Sequence, residues 1–330
     1  MTLELLQKYA PVFVLDKHEP YWPCAIADYV TNCRVVRGKD AGREVLIDTV
    51  TDPNQIMQHG KWNNAVLELK RDAAGRKQGA KNKQYYPSKV EVYGYQRVLT
   101  YMSPDGKDGN TAIDLAYAMF FAYNGTAESH AGDMEFVVVR LREDKPTGVY
   151  FSNHGGGYWV QWPGVKLSPE GQVLVHVAQE SHALCHQSGT NPRILGFAND
   201  VHSPGAQLTP GVTYDLVDFT TKPKDKPWLW WTGGRDTQDH RPMLINDTLW
   251  YPDKRVPETD FPSFVSRNLS RGVKIGIVTA LILLILVLVV MGMRFRRPWL
   301  SALAVLPAVA LGMMWLVVTA TAVVSVSTAA

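Results

Sequence analysis

The sequence of 330 residues contains only three cysteines, Cys24, Cys33 and Cys185. Their spacing forms none of the paired-cysteine motifs that bind zinc, and three cysteines cannot all pair with one another. A disulfide between Cys24 and Cys33 in an oxidising compartment and reduced cysteines in a cytosolic domain fit the sequence equally well. Cysteine therefore supplies no metal-binding motif.

Signatures of nucleophilic catalysis and of phosphate binding are also missing. There is no Gly-x-Ser-x-Gly motif, and Ser181 directly precedes His182 in the sequence, which is not the arrangement of a catalytic triad. The triglycine at residues 155–157 lacks the lysine of a phosphate-binding loop and predicts a bulge or an open turn. The chain thus carries no motif for a nucleophile.

Nucleic-acid-binding motifs are absent as well, although residues 70–83 contain six basic residues and one acidic residue. Without such a motif beside the charge, we expect no nucleic-acid partner. The composition predicts a basic surface loop inserted at residues 70–84. Contact of this loop with anionic lipid is the alternative interpretation.

Charged residues are absent from residues 275–293, an apolar run that is bounded by Ile275 and Met293. These positions would form a helix about 28 Å long, which matches the hydrocarbon core of a bilayer. A second apolar run, bounded by Leu300 and Val326, follows a loop at residues 294–299. We therefore predict a two-helix transmembrane hairpin, with a tether at residues 257–274 and a domain at residues 1–256.

The sequence gives weaker signals for the side of the membrane on which the domain at residues 1–256 lies. No signal peptide is visible at the N-terminus, which favours a cytosolic domain. Basic residues near the first predicted helix do not decide its orientation, because three lie on each side of it. They are Arg267, Arg271 and Lys274 on one side, and Arg294, Arg296 and Arg297 on the other.

Short apolar or alternating runs, separated by turn residues, dominate the first 256 residues. The five clearest runs lie at residues 92–101, 113–123, 135–141, 148–152 and 173–178. Helical periodicity is weak apart from a short segment at residues 3–9. This spacing predicts a mainly β fold, an antiparallel β-sandwich of the jelly-roll type.

The sequence His-Ala-Gly-Asp-Met-Glu at residues 130–135 leads directly into the third run. Side chains alternate faces along a strand, so Asp133 and Glu135 are predicted to share one face while Met134 points to the other. His130 lies upstream in a predicted loop, from which it could fold over the two carboxylates. Two carboxylates and an imidazole suit a divalent cation, or a general acid and base.

Two further histidines follow predicted strands and are candidate partners of this motif. His154 lies two residues after the end of the run at 148–152, and His182 comes after the run at 173–178. If consecutive strands pair as neighbours, their ends would gather His154 and His182 beside the motif at one rim of the sandwich. The predicted ligand set is therefore His130, Asp133 and Glu135, with His154 and His182 as possible additional ligands.

Seven short segments resemble, in order, the vacuolar-protein-sorting-sixty-two-related family. They are Tyr9-Ala10-Pro11-Val12, Glu19-Pro20-Tyr21-Trp22-Pro23, Phe120-Phe121-Ala122-Tyr123-Asn124-Gly125, the motif at 130–135, Val149-Tyr150-Phe151-Ser152-Asn153-His154-Gly155-Gly156, Val175-His176-Val177-Ala178-Gln179-Glu180-Ser181-His182-Ala183 and Asn199-Asp200. The resemblance extends roughly over residues 9–250. It implies a β-sandwich with a cation site and brings no established reaction with it.

The central motif departs from the pattern of that family, which has tryptophan where this chain has Met134. It is also similar to the His-x-x-Asp-x-Glu core of the necrosis-inducing toxins, which use a divalent cation to engage membrane lipid head groups. Ser129 and the Ala131-Gly132 pair differ from the toxin pattern. The resemblance therefore does not carry the toxin activity over to this chain.

Three functional hypotheses follow from these observations. The first is a membrane-anchored binding module that holds Ca²⁺ or Mg²⁺ and engages lipid or glycan head groups near a bilayer. The second is a hydrolase that uses Zn²⁺ or Mn²⁺ at the same site, with His154 and His182 among the ligands. The third is a metal-free buried polar network that fixes the strand register.

Overall fold

A computed structural model describes residues 2–37, 44–60, 64–70, 89–101, 110–126, 130–154, 156–191, 199–221, 224–231 and 234–235, together with Ile285 and Val287. These residues contain two helices, α1 (Thr2–Lys8) and α2 (Ile26–Thr31), and three short 3-10 helices at Pro53–Gln58, Trp162–Gly164 and Pro227–Trp230. The strands are β1 (Val12–Asp16), β2 (Cys33–Arg37), β3 (Glu44–Ile47), β4 (Ala65–Leu69), β5 (Val90–Tyr101), β6 (Asn110–Asn124), β7 (His130–Arg142), β8 (Lys145–Asn153), β9 (Gly156–Gln161), β10 (Leu174–Val177), β11 (Leu184–Cys185), β12 (Gly189–Asn191), β13 (Asp200–His202), β14 (Pro204–Leu208), β15 (Tyr214–Asp218) and β16 (Gly234–Arg235).

A six-stranded sheet in the order β15-β5-β6-β7-β8-β9 is the centre of the fold. From β5 to β9 the neighbouring strands are consecutive in the chain and antiparallel, whereas β15 joins β5 in parallel. Asn124, the last residue of β6, pairs with His130, the first residue of β7. The end of this hairpin carries the predicted motif.

The two faces of the central sheet are covered by different four-stranded sheets. One hydrophobic core joins Phe136 and Val138 of β7 to residues of α2, β2 and β4. The other joins Val137 and Val139 of the same strand to residues of α1, β1, β10 and β14. The alternation along β7 therefore places successive side chains in two separate cores, and the sheets stack in three layers.

A buried ionic row fixes the register of the central strands. Arg140 of β7 is fully buried and makes two contacts with the carboxylate of Asp114 on β6, at 2.6 and 2.8 Å. Arg97 of β5 reaches the same carboxylate at 2.8 Å. A slip of one residue would leave these charges buried without partners, which is strongly unfavourable.

The prediction of a mainly β fold is confirmed. The five predicted runs coincide with β5, β6, β7, β8 and β10, and the predicted helical segment coincides with α1. The predicted basic loop falls almost wholly outside the described residues, as do the tether and the two apolar runs, apart from helical positions at Ile285 and Val287. Among the helices that are described, none has the length and apolar character needed to cross a membrane.

The chain divides into two compact units. The first comprises Met1–Thr190 and Asp200–Val265, and the second comprises Asn191–Asn199 and Ser266–Ala330. Every side chain of the candidate site described below belongs to the first unit.

Candidate functional site

Asp133 lies near the start of β7, next to a glycine with an unusual backbone. Gly132 has a φ of +69°, a conformation that side-chain-bearing residues rarely adopt. Ala131 packs in the core shared with α2, whereas Asp133 meets His182, whose ring stacks on Phe121 of the other core. The strand thus turns the Asp133 carboxylate toward the layer that contains β1 and β10.

Four groups surround the buried carboxylate of Asp133. His182 Nδ1 lies 2.9 Å from Oδ2, and the side-chain amide of Asn124 donates to the same oxygen at 2.9 Å. The backbone N–H of Met134 donates to Oδ1 at 3.0 Å, and His130 Nε2 lies 3.4 Å from that oxygen. Protein groups therefore occupy both oxygens, and the contact with His130 is the longest of the four.

His182 is fully buried between two carboxylates. Its ring stacks on Phe121 with centroids 3.7 Å apart and planes 4° from parallel. Nε2 lies 3.5 Å from Glu19 Oε1, an ion-pair distance at which the geometry does not satisfy a hydrogen bond. The imidazole of His182 thus connects Asp133 of β7 with Glu19, which follows β1.

The two carboxylates decide the charge of His182. Burial lowers the pKa of this imidazole, but the hydrogen bond with Asp133 and the nearby charges of Glu19 and Asp133 together outweigh burial and raise the pKa to about 9. For Asp133, burial raises the pKa, and the bonds and charges of His130 and His182 overcome this and hold it well below its ordinary value. His182 is therefore an imidazolium at neutral pH, facing an ionised Asp133.

A second cluster surrounds Asp200 and is linked to the cluster around Asp133, because Ser181 directly precedes His182 in the sequence. Ser181 donates its hydroxyl to Asp200 Oδ1 at 2.7 Å, and His154 Nε2 lies 3.0 Å from Asp200 Oδ2. The carboxylate stands between the serine and the histidine, whereas nucleophilic catalysis needs the histidine next to the serine. The geometry therefore holds His154 in place without activating Ser181.

The imidazoles of the two clusters differ in their exposure to solvent. The side chains of His130 and His154 are 24% and 26% exposed, while that of His182 is inaccessible. Asp133 and Asp200 are both buried. Each of these buried carboxylates thus holds one partly exposed imidazole, and we call the pair His130 and His154 the histidine rim.

Glu135, the second carboxylate of the motif, is bonded to the neighbouring strand. It is buried, and its carboxylate accepts a hydrogen bond from the hydroxyl of Ser152 on β8. The same hydroxyl oxygen accepts a bond from the backbone N–H of Phe136 at 2.8 Å. Glu135 therefore belongs to an interstrand network between β7 and β8.

The prediction that His130 lies in a loop is wrong, because it is the first residue of β7 and pairs with Asn124. Sequence reasoning also did not assign site roles to Glu19, Asn124, Ser181 and Asp200. All four occur in segments that carry the family resemblance, which was the available signal. The contact between Glu19 and residue 180 spans 161 positions, so spacing along the chain does not reveal it.

The polar atoms around Asp133 are already engaged by protein groups. Among the described residues, no group of three or more histidine, cysteine, aspartate or glutamate side chains is arranged to hold a metal ion. Both oxygens of Asp133 already accept protein donors, and both nitrogens of the His182 imidazolium carry protons that face carboxylates. A cation at Asp133 would have to displace one of these contacts.

Other histidines and cysteines have separate surroundings. His176 lies in β10 and is buried, and burial lowers its pKa to about 4. His186 Nδ1 lies 3.2 Å from the hydroxyl of Tyr158, and His202 Nε2 lies 3.0 Å from the carbonyl of Ala183. Cys24, Cys33 and Cys185 are all buried, and none of the three is in a disulfide.

Comparisons with known proteins point to one family by sequence and to one group of solved structures. The model of the family described as vacuolar protein sorting-associated protein 62 matches residues 2–232. No curated protein matches the sequence significantly.

Among solved structures, the chain is similar to necrosis and ethylene inducing protein 2 from the causal agent of cocoa's witches' broom disease. The identity is 18%, the match covers 76% of this chain and 88% of that one, and the TM-score is 0.38. NLPPya in complex with glucosamine is 13% identical, with 72% of this chain and 83% of that chain covered and a TM-score of 0.33.

Proposed function

We propose that this chain, which belongs to the vacuolar protein sorting-associated protein 62 family, is a membrane-anchored β-sandwich module that binds lipid or glycan head groups at the histidine rim. The observation that carries the proposal is the pairing of two partly exposed imidazoles with two buried carboxylates. An imidazole that a buried carboxylate holds in one orientation can meet a ligand with its exposed edge at little entropic cost. Phosphate and hydroxyl groups are natural partners for imidazole rings.

The buried network behind the rim supports a binding role. Glu19, His182 and Asp133 form a connected row of alternating charge beneath His130. Such a row holds the exposed side chain in one orientation before a ligand arrives, which improves affinity. Ser181 and Asp200 supply the equivalent support beneath His154.

The membrane anchor in this proposal is the hairpin predicted at residues 275–326. It would hold the module close to a bilayer, so that a weak affinity for single head groups suffices. Ile275 and Met293 bound the first proposed span, and Leu300 and Val326 bound the second.

Cation dependence is a further part of the proposal, with Ca²⁺ or Mg²⁺ favoured over Zn²⁺ or Mn²⁺. The weakest contact at Asp133 is the one with His130, at 3.4 Å, and it lies on the partly exposed side of the carboxylate. A hard cation that arrives together with a ligand would replace this contact first. Asp133 would then supply an oxygen ligand, the type that these ions prefer.

A metal-free structural role is the second candidate function. The four protein groups around Asp133 favour it, because a satisfied buried network specifies a register without any ligand. A test of head-group binding distinguishes the two candidates.

The test uses the full chain in detergent, with glycerophosphoserine, glycerophosphocholine and N-acetylglucosamine as separate probes. We expect at least one probe to stabilise the folded protein, by about 2.7 kcal/mol at one hundred times its dissociation constant. His130→Ala and His154→Ala should weaken this effect. Each titration is repeated with chelator and with Ca²⁺, Mg²⁺, Mn²⁺ or Zn²⁺ to test cation dependence.

His59→Ala is the matched control, because His59 follows the 3-10 helix Pro53–Gln58 and contacts Trp231 through its backbone carbonyl. This variant should bind as the wild type does. Absence of stabilisation by every probe, with and without cations, would reject head-group binding and leave the structural role.

A further inference from the structure

The turn between β10 and β11 has an unusual backbone. Glu180 and His182 have φ values of +59° and +56°, in the left-handed region that residues with side chains seldom occupy. Within the turn, the N–H of His182 donates to the carbonyl of Ala178 at 3.1 Å. Two left-handed residues so close together need contacts from outside the turn to keep their conformation.

Glu19 supplies such contacts from a distant part of the chain. Its Oε2 accepts the backbone N–H of Glu180 at 2.7 Å, and its Oε1 accepts the backbone N–H of Tyr21 at 2.8 Å. The same Oε1 lies 3.5 Å from His182 Nε2. One buried carboxylate therefore bonds the backbone of one left-handed residue and faces the side chain of the other.

The turn carries the two residues that reach the buried carboxylates of the rim. Ser181 donates to Asp200, and His182 contacts Asp133. Asp200 and Asp133 in turn hold His154 and His130. A displacement of the turn would therefore move the contacts to Asp200 and to Asp133 together. Glu19 makes none of these four contacts itself and acts on them through the turn.

We infer that Glu19 is the positioning residue of the histidine rim, acting through the turn at residues 178–183. The effect of Glu19 on binding rests on the proposed function, because head groups are proposed to bind at this rim. The structural content of the inference, the coupling of Glu19 to His130 and His154, is measurable without any ligand.

The experiment records the imidazole ring signals of the full chain in detergent by NMR, together with head-group binding. Glu19→Ala should shift the ring signals of both His130 and His154. It should also lower the affinity for the bound head group by roughly tenfold or more, the scale on which supporting residues act.

Glu19→Gln keeps the volume of the side chain but has a single acceptor oxygen in place of two. It can retain only one of the bonds to Tyr21 and Glu180, so its effect on the signals should lie between wild type and Glu19→Ala. This graded series distinguishes positioning from a general loss of stability. It also provides a folded variant if the alanine protein does not fold.

Glu68→Gln is the matched control, because Glu68 is an equally buried carboxylate, 7% exposed like Glu19, that pairs with Arg34 in the sheet on the opposite face. It should leave the ring signals of the rim in place. Unmoved His154 signals in folded Glu19 variants would overturn the inference. Moved signals in a protein that binds no head group would retain the positioning role and reject the proposed function.

Discussion

His182 shows how a buried charge is retained inside a β fold. An isolated imidazolium without access to water would lose its proton, because burial disfavours the charged form. Asp133 and Glu19 on two sides reverse that preference and raise the pKa to about 9. The charge therefore depends on both carboxylates, and its loss should be visible in the stability of the protein.

The first prediction concerns alkaline pH. The folded-state pKa of His182 lies above its ordinary value of 6.5, so its contribution is fully present below pH 6.5 and is lost as the pH rises toward about 9. The total loss should be on the order of 3 kcal/mol. Chemical denaturation between pH 6 and 9.5 measures most of it, and His182→Gln should remove most of this slope.

At acidic pH, three other histidines should make the stability of the folded protein rise with pH, the opposite of the effect of His182 at alkaline pH. Burial lowers the pKa of His176 to about 4 and also lowers the pKa values of His186 and His202. Their contribution is present above pH 6.5 and is lost as the pH falls. Wild-type stability should therefore peak near pH 6.5, and His176→Gln should reduce the acidic slope only. An unchanged alkaline slope in His182→Gln would contradict the assignment.

At the scale of elements, the hairpin between β7 and β8 is closed by residues that are unfavourable for its turn. Arg142 pairs with Lys145, which leaves a two-residue loop, and both loop residues have positive φ values, +49° at Glu143 and +58° at Asp144. A turn with two such residues is of type I′, where asparagine and glycine are preferred. Glutamate followed by aspartate carries a local strain here.

The second prediction follows from that turn. The double substitution Glu143→Asn with Asp144→Gly should stabilise the protein by about 1 kcal/mol, because both new residues accept positive φ more readily. The bond from the Tyr9 hydroxyl to the carbonyl of residue 144 involves only the backbone and is preserved. Thermal unfolding measures the gain. Asp215→Gly, in β15, is the control and should destabilise, since glycine weakens a strand.

The central strands were predictable because each is long and alternates between two apolar cores. The layer that contains β2 and β4 was not predictable, since its described strands are two to five residues long and give little periodicity. His130 was predicted in a loop because it lies upstream of the apolar run at 135–141, whereas pairing with Asn124 keeps it in β7. The motif indicated Asp133, and the position of His182 after a predicted strand indicated His182. Glu19 was not indicated, because its role depends on a contact between distant segments of the chain.

For the whole molecule, the proposal depends on how the module is attached to a membrane. A rim that binds head groups acts best when it is held within reach of a bilayer, and the apolar runs at 275–293 and 300–326 supply the expected attachment. A hairpin returns the chain to the side from which it started. The module and the C-terminus should therefore share one side, and the loop at residues 294–299 should lie on the other.

The third prediction is that the module faces the cytosol. Trypsin cleaves after lysine and arginine, so we expect the predicted surface loop, with six basic residues at 70–83, to be cleaved early. In sealed spheroplasts we expect this region to be protected until the membrane is lysed, because trypsin added outside cannot reach a module on the cytosolic side. Substitution of the six basic residues by glutamine is the control and should remove the early cleavage after lysis. Cleavage within the module before lysis would reject the cytosolic orientation. The anchor is tested separately by washing the membranes with carbonate. Retention of the uncleaved chain in the membrane fraction would support the anchor, because only integral segments resist that wash.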